Sequence, residues 1–312
     1  MLRILFMGTP DFAVPTLKAI HESVHELLAV VTQPDRPKGR GLKSTASSVK
    51  QWANKAGLHI IQPPNAKDSE FIKMVKNMYP DLIITAAYGH IITQELLDIP
   101  SLGCINIHAS LLPEYRGASP IQHAILDGKS TTGITVFLMD AGMDTGDIIL
   151  QMPISIMPEE NAQNLHDKLS VLGAEAIRQV LAMFEIGKAK AYPQDNQKAT
   201  YCKKIDSSMG KIDWTSEALR IKNHVRALTP WPGAYSTLGD KFIKLSLVRE
   251  TDFIGCYKPG TIVAFDERNG IVVACGEGFL RLLKLQKSGG KVMNDTDFVR
   301  GYPILPLSSY FS

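Results

Sequence analysis

Cysteine is scarce here: four in 312 residues (Cys104, Cys202, Cys256, Cys275), with neither paired spacing nor a metal-ligand pattern. That excludes a disulfide framework, and reduced thiols in a cytoplasmic protein are the simplest account. The eight histidines are scattered without ligand spacing, so no metal is expected. No apolar run is long enough to span a bilayer, and residues 1–6 have neither the length nor the cleavage site of a signal peptide. They read as a first strand, and the protein is expected to be cytoplasmic with no membrane partner. The turn after that strand lacks glycine: Gly8 stands alone, and Pro10 and Pro15 stiffen the chain beyond it. A dinucleotide site would need G-x-G-x-x-G there to admit a pyrophosphate. A nicotinamide-dependent dehydrogenase is therefore excluded. Internal repeats and low-complexity tracts are also missing.

What is present is an ordinary globular composition, 45% hydrophobic, long enough for two domains. The net charge of +3 hides an asymmetry. Residues 1–187 hold 15 basic against 19 acidic side chains, a net of −4, and residues 188–312 hold 19 against 12, a net of +7. A basic second part suggests a polyanionic partner, although surplus surface lysine explains it about equally well.

Residues 1–187 alternate apolar runs (2–7, 26–32, 58–61, 81–86, 104–108, 132–139, 148–152) with amphipathic segments (12–22, 46–56, 68–78, 118–126, 161–186). That alternation predicts a mostly parallel α/β sheet with helices on both faces. Residues 188–206 are polar, carry Pro193 and repeated lysine, and read as a linker. Beyond it, a helix over 216–228 precedes five short strand candidates at 234–238, 242–249, 261–265, 270–275 and 280–285. Five such strands predict a small OB-like β-barrel over residues 207–312.

The chain is organised around Cys104-Ile-Asn-Ile-His-Ala-Ser-Leu-Leu-Pro-Glu-Tyr-Arg-Gly-Ala-Ser-Pro-Ile-Gln122. Asn106 and His108 are two apart on a predicted strand, so they share a face, and they sit where an open α/β sheet binds its ligands. An amide donor beside an imidazole suits chemistry at a carbonyl, one group stabilising an oxyanion and the other moving protons. Either residue alone reads more simply as satisfying loop backbone; the pair favours function.

Three further segments face the same sheet edge. Residues 33–43 form a basic stretch with Arg36, Lys38, Arg40 and Lys43 against one acid, Asp35. Its prolines and glycines predict an irregular loop, and its cations suit phosphate. Thr85-Ala-Ala-Tyr-Gly-His90 ends a strand with small residues, so a planar ligand, or simply a close-packed helix, can lie against it. Asp140-Ala-Gly-Met-Asp-Thr-Gly-Asp147 is a glycine-rich turn with three carboxylates. Turn aspartates usually bond local backbone, and one of these could instead orient His108. Physics alone does not choose among the three.

Asn106-Ile-His108, Ser110-Leu-Leu-Pro113, Tyr115-Arg-Gly117 and Asp144 together resemble the 10-formyltetrahydrofolate-dependent formyltransferases. Phe6-Met-Gly-Thr-Pro-Asp-Phe-Ala13, Gln33-Pro-Asp-Arg-Pro37 with Gly39-Arg-Gly41, Ile212-Asp-Trp214 and Pro230-Trp-Pro-Gly-Ala234 extend the likeness, in the family's order, to members that formylate initiator methionyl-tRNA. The resemblance implies a Rossmann-like catalytic domain over 1–187, a linker over 188–206 and an OB-like tRNA-binding domain over 207–312. It implies 10-formyltetrahydrofolate as formyl donor, initiator methionyl-tRNA as acceptor, a monomer, and no metal. Asn106, His108 and Asp144 map onto the catalytic trio. Ser110, Leu111, Leu112 and Pro113 map onto the folate segment, with the ring near Tyr88 and Gly89. Arg36, Lys38, Arg40 and Lys43 fall in the loop that enters the acceptor arm of the tRNA.

The implied reaction is acyl transfer to the methionyl amine, with Asn106 and His108 stabilising the oxyanion and Asp144 supporting His108 or accepting a proton through water. The rivals are transfer to another amine, such as a purine precursor or nucleotide sugar, and hydrolysis of the formylfolate. A non-catalytic RNA-binding protein is disfavoured because binding alone does not need all three residues of the trio.

Overall fold

Apolar runs without alternation make strands that are buried on both faces. The first of these, β1 (Arg3–Gly8), runs through the middle of the principal sheet, with Ile4, Leu5, Phe6 and Met7 fully buried. Later strands are β2 (Glu26–Val31), β3 (Arg36–Lys38), β4 (Lys43–Thr45), β5 (Ile60–Ile61), β6 (Leu82–Ala86), β7 (Cys104–His108), β8 (Arg116–Gly117), β9 (Thr131–Leu138), β10 (Ile148–Ser155) and β11 (Tyr201–Cys202). The computed structural model describes residues 1–38, 43–266, 268–301 and 306–312.

Seven strands form the principal sheet in the order β10-β9-β7-β6-β1-β2-β5. The strands β5, β2, β1, β6 and β7 are mutually parallel, whereas β9 runs antiparallel to β7 and β10 antiparallel to β9. The mostly parallel sheet expected from the alternating pattern is therefore present, with a reversed strand on one side. The chain moves outward from β1 to β2 and β5, then returns to place β6 on the other side of β1. That reversal opens a crevice at the carboxyl ends of β1 and β6.

Helices α1 (Val14–His21), α2 (Ser48–Lys55), α3 (Ser69–Met78), α4 (Gln94–Leu97), α5 (Pro120–Leu126) and α6 (Ala162–Glu185) complete this part of the chain, and all but the short α4 fall where periodicity predicts them. Ser47 caps α2 through the Lys50 amide, and Asp68 caps α3 through the Phe71 amide, each satisfying an otherwise orphaned donor. On one sheet face Phe71, Val75 and Leu96 pack with Leu5, Ile83 and Cys104. On the other, α6 approaches at Gly173, where a Cβ would lie 3.1 Å from the Ile107 Cγ2. Ile107 thus faces α6, and Cys104, Asn106 and His108 face the opposite way.

Two expectations need correction. The basic stretch expected to be irregular pairs as a two-stranded ribbon, β3 with β4, with Pro37 opposite Ser44. An isolated ribbon can accept proline because one edge of each strand is unpaired. Arg40 lies outside the described residues. The helix expected from residue 118 begins at Pro120, a residue suited to a first helical position because its missing N–H has no intrahelical partner there.

The chain groups into two units. The first comprises Met1–Pro120, Thr131–Ser155 and His166–Cys202; the second comprises Ile121–Ser130, Ile156–Leu165 and Lys203–Ser312. Residues 188–202 therefore group with the sheet, and β11 pairs in parallel with β8.

The second unit adds α7 (Ala218–Ala227), β12 (Ala234–Leu238), β13 (Lys241–Thr251), β14 (Ile262–Asp266), β15 (Gly270–Ala274), β16 (Phe279–Lys287), β17 (Val292–Asn294) and α8 (Asp295–Gly301). Its antiparallel order is β12-β13-β16-β15-β14, with β17 on β16. The five strands expected are present; β17 and α8 were too short to show in the pattern. The two ends of this path meet through the final residues: Leu238 pairs with Phe311, and Thr261 with Tyr310. The edges are thereby covered, as in a barrel. Trp214, Ile221, Val225, Leu245, Leu282 and Phe311 share its core, and the Trp214 indole N–H is satisfied by Ser236 Oγ at 2.8 Å. No helix among the described residues is long and apolar enough to cross a membrane.

Candidate active site

β7 delivers Asn106, half-buried, and His108, 7% exposed, to its carboxyl end on one face. His108 Nε2 lies 2.8 Å from the Tyr115 carbonyl oxygen. A carbonyl can only accept, so Nε2 donates, and Nδ1 is the nitrogen left to face other groups. It faces Asp144, whose Oδ2 is 3.7 Å away. The same Oδ2 accepts the Gly117 amide at 2.7 Å. Tyr115 and Asp144 both have left-handed backbone, φ 59° and 55°, a costly conformation for a side-chain-bearing residue and one that functional sites retain.

Asp144 sits in the glycine-rich turn between β9 and β10. Gly146 lies so close to the Leu138 carbonyl that any Cβ would overlap it. Asp140 turns inward, accepting the Gly142 amide at 3.0 Å and the Thr145 hydroxyl at 2.6 Å. Among the turn's three acids, Asp144 is thus placed against the imidazole and Asp140 organises the turn.

The turn is also held from outside. Gln194 Nε2 donates to the carbonyls of Asp144, at 2.9 Å, and Gly146, at 2.7 Å. Gln194 Oε1 accepts from Arg116 Nε at 3.1 Å and Nη2 at 2.7 Å. Arg116 is 2% exposed and also donates to Asn196 Oδ1 at 2.7 Å and Tyr201 Oη at 3.3 Å.

Residues 110–113 leave β7 as a loop pinned by the neighbouring strands. The Thr135 hydroxyl donates to the Ser110 carbonyl at 2.7 Å and accepts the Leu112 amide at 3.0 Å. Gln151 Nε2 donates to the Leu112 carbonyl at 2.8 Å, and Ser110 Oγ to the Glu114 carbonyl at 2.6 Å.

At the β1–β6 crevice, the Tyr88 carbonyl accepts from Thr9 Oγ1 at 2.9 Å and Gln33 Nε2 at 3.0 Å, tying three strand ends together. Gly89 is next, at φ 83°, where a Cβ would crowd Gln33 Nε2. Tyr88 Oη, His90 Nδ1 and Thr93 Oγ1 are buried without a hydrogen-bond partner. Burial pushes the Tyr88 phenol up to about 12, so it stays a neutral donor. Unsatisfied buried polar atoms carry a desolvation cost, so this segment is a costly one to bury.

In the basic ribbon, Arg36 is exposed, and Lys38 and Lys43 are paired through their backbones. The ribbon's acid is engaged elsewhere: Asp35 accepts from Lys50 at 2.7 Å and Gln62 at 2.9 Å, and these bonds hold its carboxyl below the usual range. Among the described residues no group of three or more His, Cys, Asp or Glu could hold a metal.

Thr135, Gln151, Gln194 and Asn196 escaped sequence reasoning. Each is a polar residue in an ordinary setting, and Gln194 and Asn196 lie in the segment read as a linker. No local pattern marks them. Arg116 belongs to the Tyr115-Arg-Gly117 motif, but nothing in that motif signals its burial.

Residues 2–181 match the formyl transferase family, and residues 204–303 match the formyl transferase C-terminal domain. The chain is 47% identical over 305 residues to the methionyl-tRNA formyltransferase of Geobacter metallireducens, covering 98% of this chain and 97% of the relative. It is 44% identical over 304 residues to that of Caldanaerobacter subterraneus, covering 97% and 98%. An N-formyltransferase from Helicobacter canadensis, solved with folinic acid and dTDP-3-aminofucose, has the same fold at a TM-score of 0.69 and 20% identity, covering 92% of this chain and 100% of that one. With both formyl transferase regions matched and relatives this similar over nearly the whole length, the chain belongs to the methionyl-tRNA formyltransferase family.

Proposed function

We propose that this protein transfers the formyl group of 10-formyltetrahydrofolate to the amino group of methionine on initiator methionyl-tRNA, in preparation for translation initiation. The observation that carries the reading is the placing of His108 beside Asp144 at the end of β7, near Asn106, in a chain that matches 97% of the length of a methionyl-tRNA formyltransferase. The methionyl nitrogen forms a bond to the formyl carbon, and the formyl oxygen gains negative charge. Asn106 donates to that oxygen, as does His108 in its imidazolium form through Nδ1, since Nε2 is engaged by the Tyr115 carbonyl. Losing one such donor typically costs about 3–4 kcal/mol of transition-state stabilisation. Asp144 orients the imidazole and, through a water, accepts the proton leaving the amine. N10 takes up a proton as the C–N10 bond breaks, and tetrahydrofolate leaves. These steps ask for no metal and no covalent enzyme intermediate.

The loop of Ser110, Leu111, Leu112 and Pro113 flanks the folate, and the ring lies near Tyr88 and Gly89. The Tyr88 carbonyl and Gly89, held at the strand ends by Thr9 and Gln33, support that placement by leaving backbone without a side chain at the crevice. Arg36, Lys38, Arg40 and Lys43 meet acceptor-arm phosphates, a role supported by the engagement of Asp35 with Lys50. Residues 1–187 act as the catalytic domain together with residues 188–202, which group with its sheet rather than serving as a linker, and residues 207–312 act as the tRNA-binding domain, in a cytoplasmic monomer. The net +7 of residues 188–312 supports a polyanionic partner.

The test is formyl transfer from 10-formyltetrahydrofolate, with methionyl-tRNA, free methionine, a purine-precursor amine and an amino-sugar nucleotide as parallel acceptors. Product on the charged tRNA alone is expected. Transfer only to a small amine would discard the tRNA, and formate release without acceptor would make the protein a hydrolase.

A further inference from the structure

We propose that Gln194 is a positioning residue for Asp144: it clamps the turn that carries the carboxylate and is itself locked by buried Arg116. The proposal rests on the reading of Asp144 as part of the catalytic site. Gln194 has two polar ends, and the structure uses both. Its oxygen accepts two N–H groups from the Arg116 fork, at 3.1 and 2.7 Å. Arginine has no acceptor, so the amide oxygen must face it and the amide nitrogen must face away. That nitrogen meets the carbonyls of Asp144 and Gly146, at 2.9 and 2.7 Å. Two carbonyls from alternate residues converging on one nitrogen hold the curvature of the turn.

The turn needs such support. Asp144 is in left-handed backbone, a conformation that persists only where surroundings impose it. The carboxylate is then fixed from its other end by the Gly117 amide at 2.7 Å. Arg116 and Gly117 are the two residues of β8, so one short strand governs both attachments. Its side-chain fork sets Gln194, which sets the Asp144 backbone, and its next amide sets the Asp144 side chain. Arg116 is 2% exposed, and its partners Gln194, Asn196 and Tyr201 are all neutral. Burying a guanidinium against neutral oxygens is costly, which fits a group kept for orientation. The segment read as a linker thereby supplies a working part of the site.

Two variants test the clamp. Gln194→Met keeps length and removes both functions, whereas Gln194→Glu keeps the acceptor for Arg116 and removes the donors. In the free protein, hydrogen exchange at the Gly117 amide should quicken by about tenfold or more in each variant as the turn loosens. In steady-state formylation, kcat should fall by about tenfold or more while KM for both substrates stays within about twofold. In an Asp144→Asn background, Gln194→Met should lower kcat by no more than about twofold further, because the residue it positions is already disabled. Unchanged Gly117 exchange in the folded Glu variant, or a full additional loss of kcat in the Asp144→Asn background, would overturn the proposal. A wild-type protein that formylates nothing would sink the functional reading, and the exchange rates would still decide the clamp.

Discussion

Asp144 Oδ2 stands 3.7 Å from His108 Nδ1, while the imidazole's Nε2 donates to the Tyr115 carbonyl at 2.8 Å. The ring is thus held through Nε2, and Nδ1 is turned towards the carboxylate charge without being hydrogen-bonded to it. His108→Ala should lower kcat by roughly 10²–10³-fold, the usual scale for losing a proton-moving or oxyanion-stabilising group. Asp144→Asn keeps the shape and removes the charge, and should cost about as much. KM for either substrate should change far less. Steady-state formylation decides it, and unchanged turnover in His108→Ala would remove the imidazole from the mechanism.

Binding of the charged tRNA should weaken steeply with salt, since cations that neutralise phosphates release counterions. Arg36→Ala and Arg40→Ala should each reduce the salt slope by about one, on the counterion argument, and lower affinity without altering the chemical step. Titration of tRNA binding against ionic strength is the measurement. A flat response would count against a nucleic-acid acceptor.

His224 titrates below the ordinary imidazole value of 6.5, because burial disfavours its charged form more than a backbone bond at Gly210 favours it. His25 is shifted the same way, chiefly by burial. Below 6.5 the unfolded chain takes up these protons before the folded one does. Stability contributed by the neutral rings is therefore present at and above neutral pH. It is lost as pH falls from 6.5 towards the folded-state values, at His224 by up to about 1.4 kcal/mol per pH unit. Melting temperature should drop between neutral and mildly acid pH. The drop should be shallower in His224→Gln, and an equally steep profile in that variant would exclude His224 as a source.

Of the four cysteines, Cys256 is exposed and Cys104, Cys202 and Cys275 are buried. Burial also pushes the Cys104 and Cys275 thiols up to about 12, so both are protonated and shielded at neutral pH. Iodoacetamide should modify the native protein at Cys256 and reach the other three only in denaturant. Peptide mass analysis reads this directly. Ready labelling of Cys104 in native protein would contradict the burial of β7.

Much of the architecture was legible in the sequence because its signals are local. The short unbroken apolar run of β1 reads as a strand covered on both sides, and α6 shows its buried Leu165, Leu169 and Val180 at helical spacing. Asn106 and His108 could be assigned to one face because strand alternation is fixed by backbone geometry. The choice of Asp144 among three turn acids came from family likeness, and the structure supplies its geometric counterpart: Asp140 is turned onto Gly142 and Thr145, leaving Asp144 on the imidazole.

Other features have no local signal at all. The ribbon of β3 and β4 defeats turn-residue statistics, since its pairing depends on how two short ends meet. Gln194 lies 50 residues from Asp144 along the chain, in a segment whose composition reads as a linker. Composition reports how soluble a segment is, and it cannot report which distant carbonyl an amide will reach. Residue order alone was enough for most of the succession of strands and helices and for placing Asn106 and His108 on one face at the end of β7. Which groups orient those side chains became visible only in the folded chain. Contacts between distant residues arise from sheet order and chain reversal, which no short window of sequence contains.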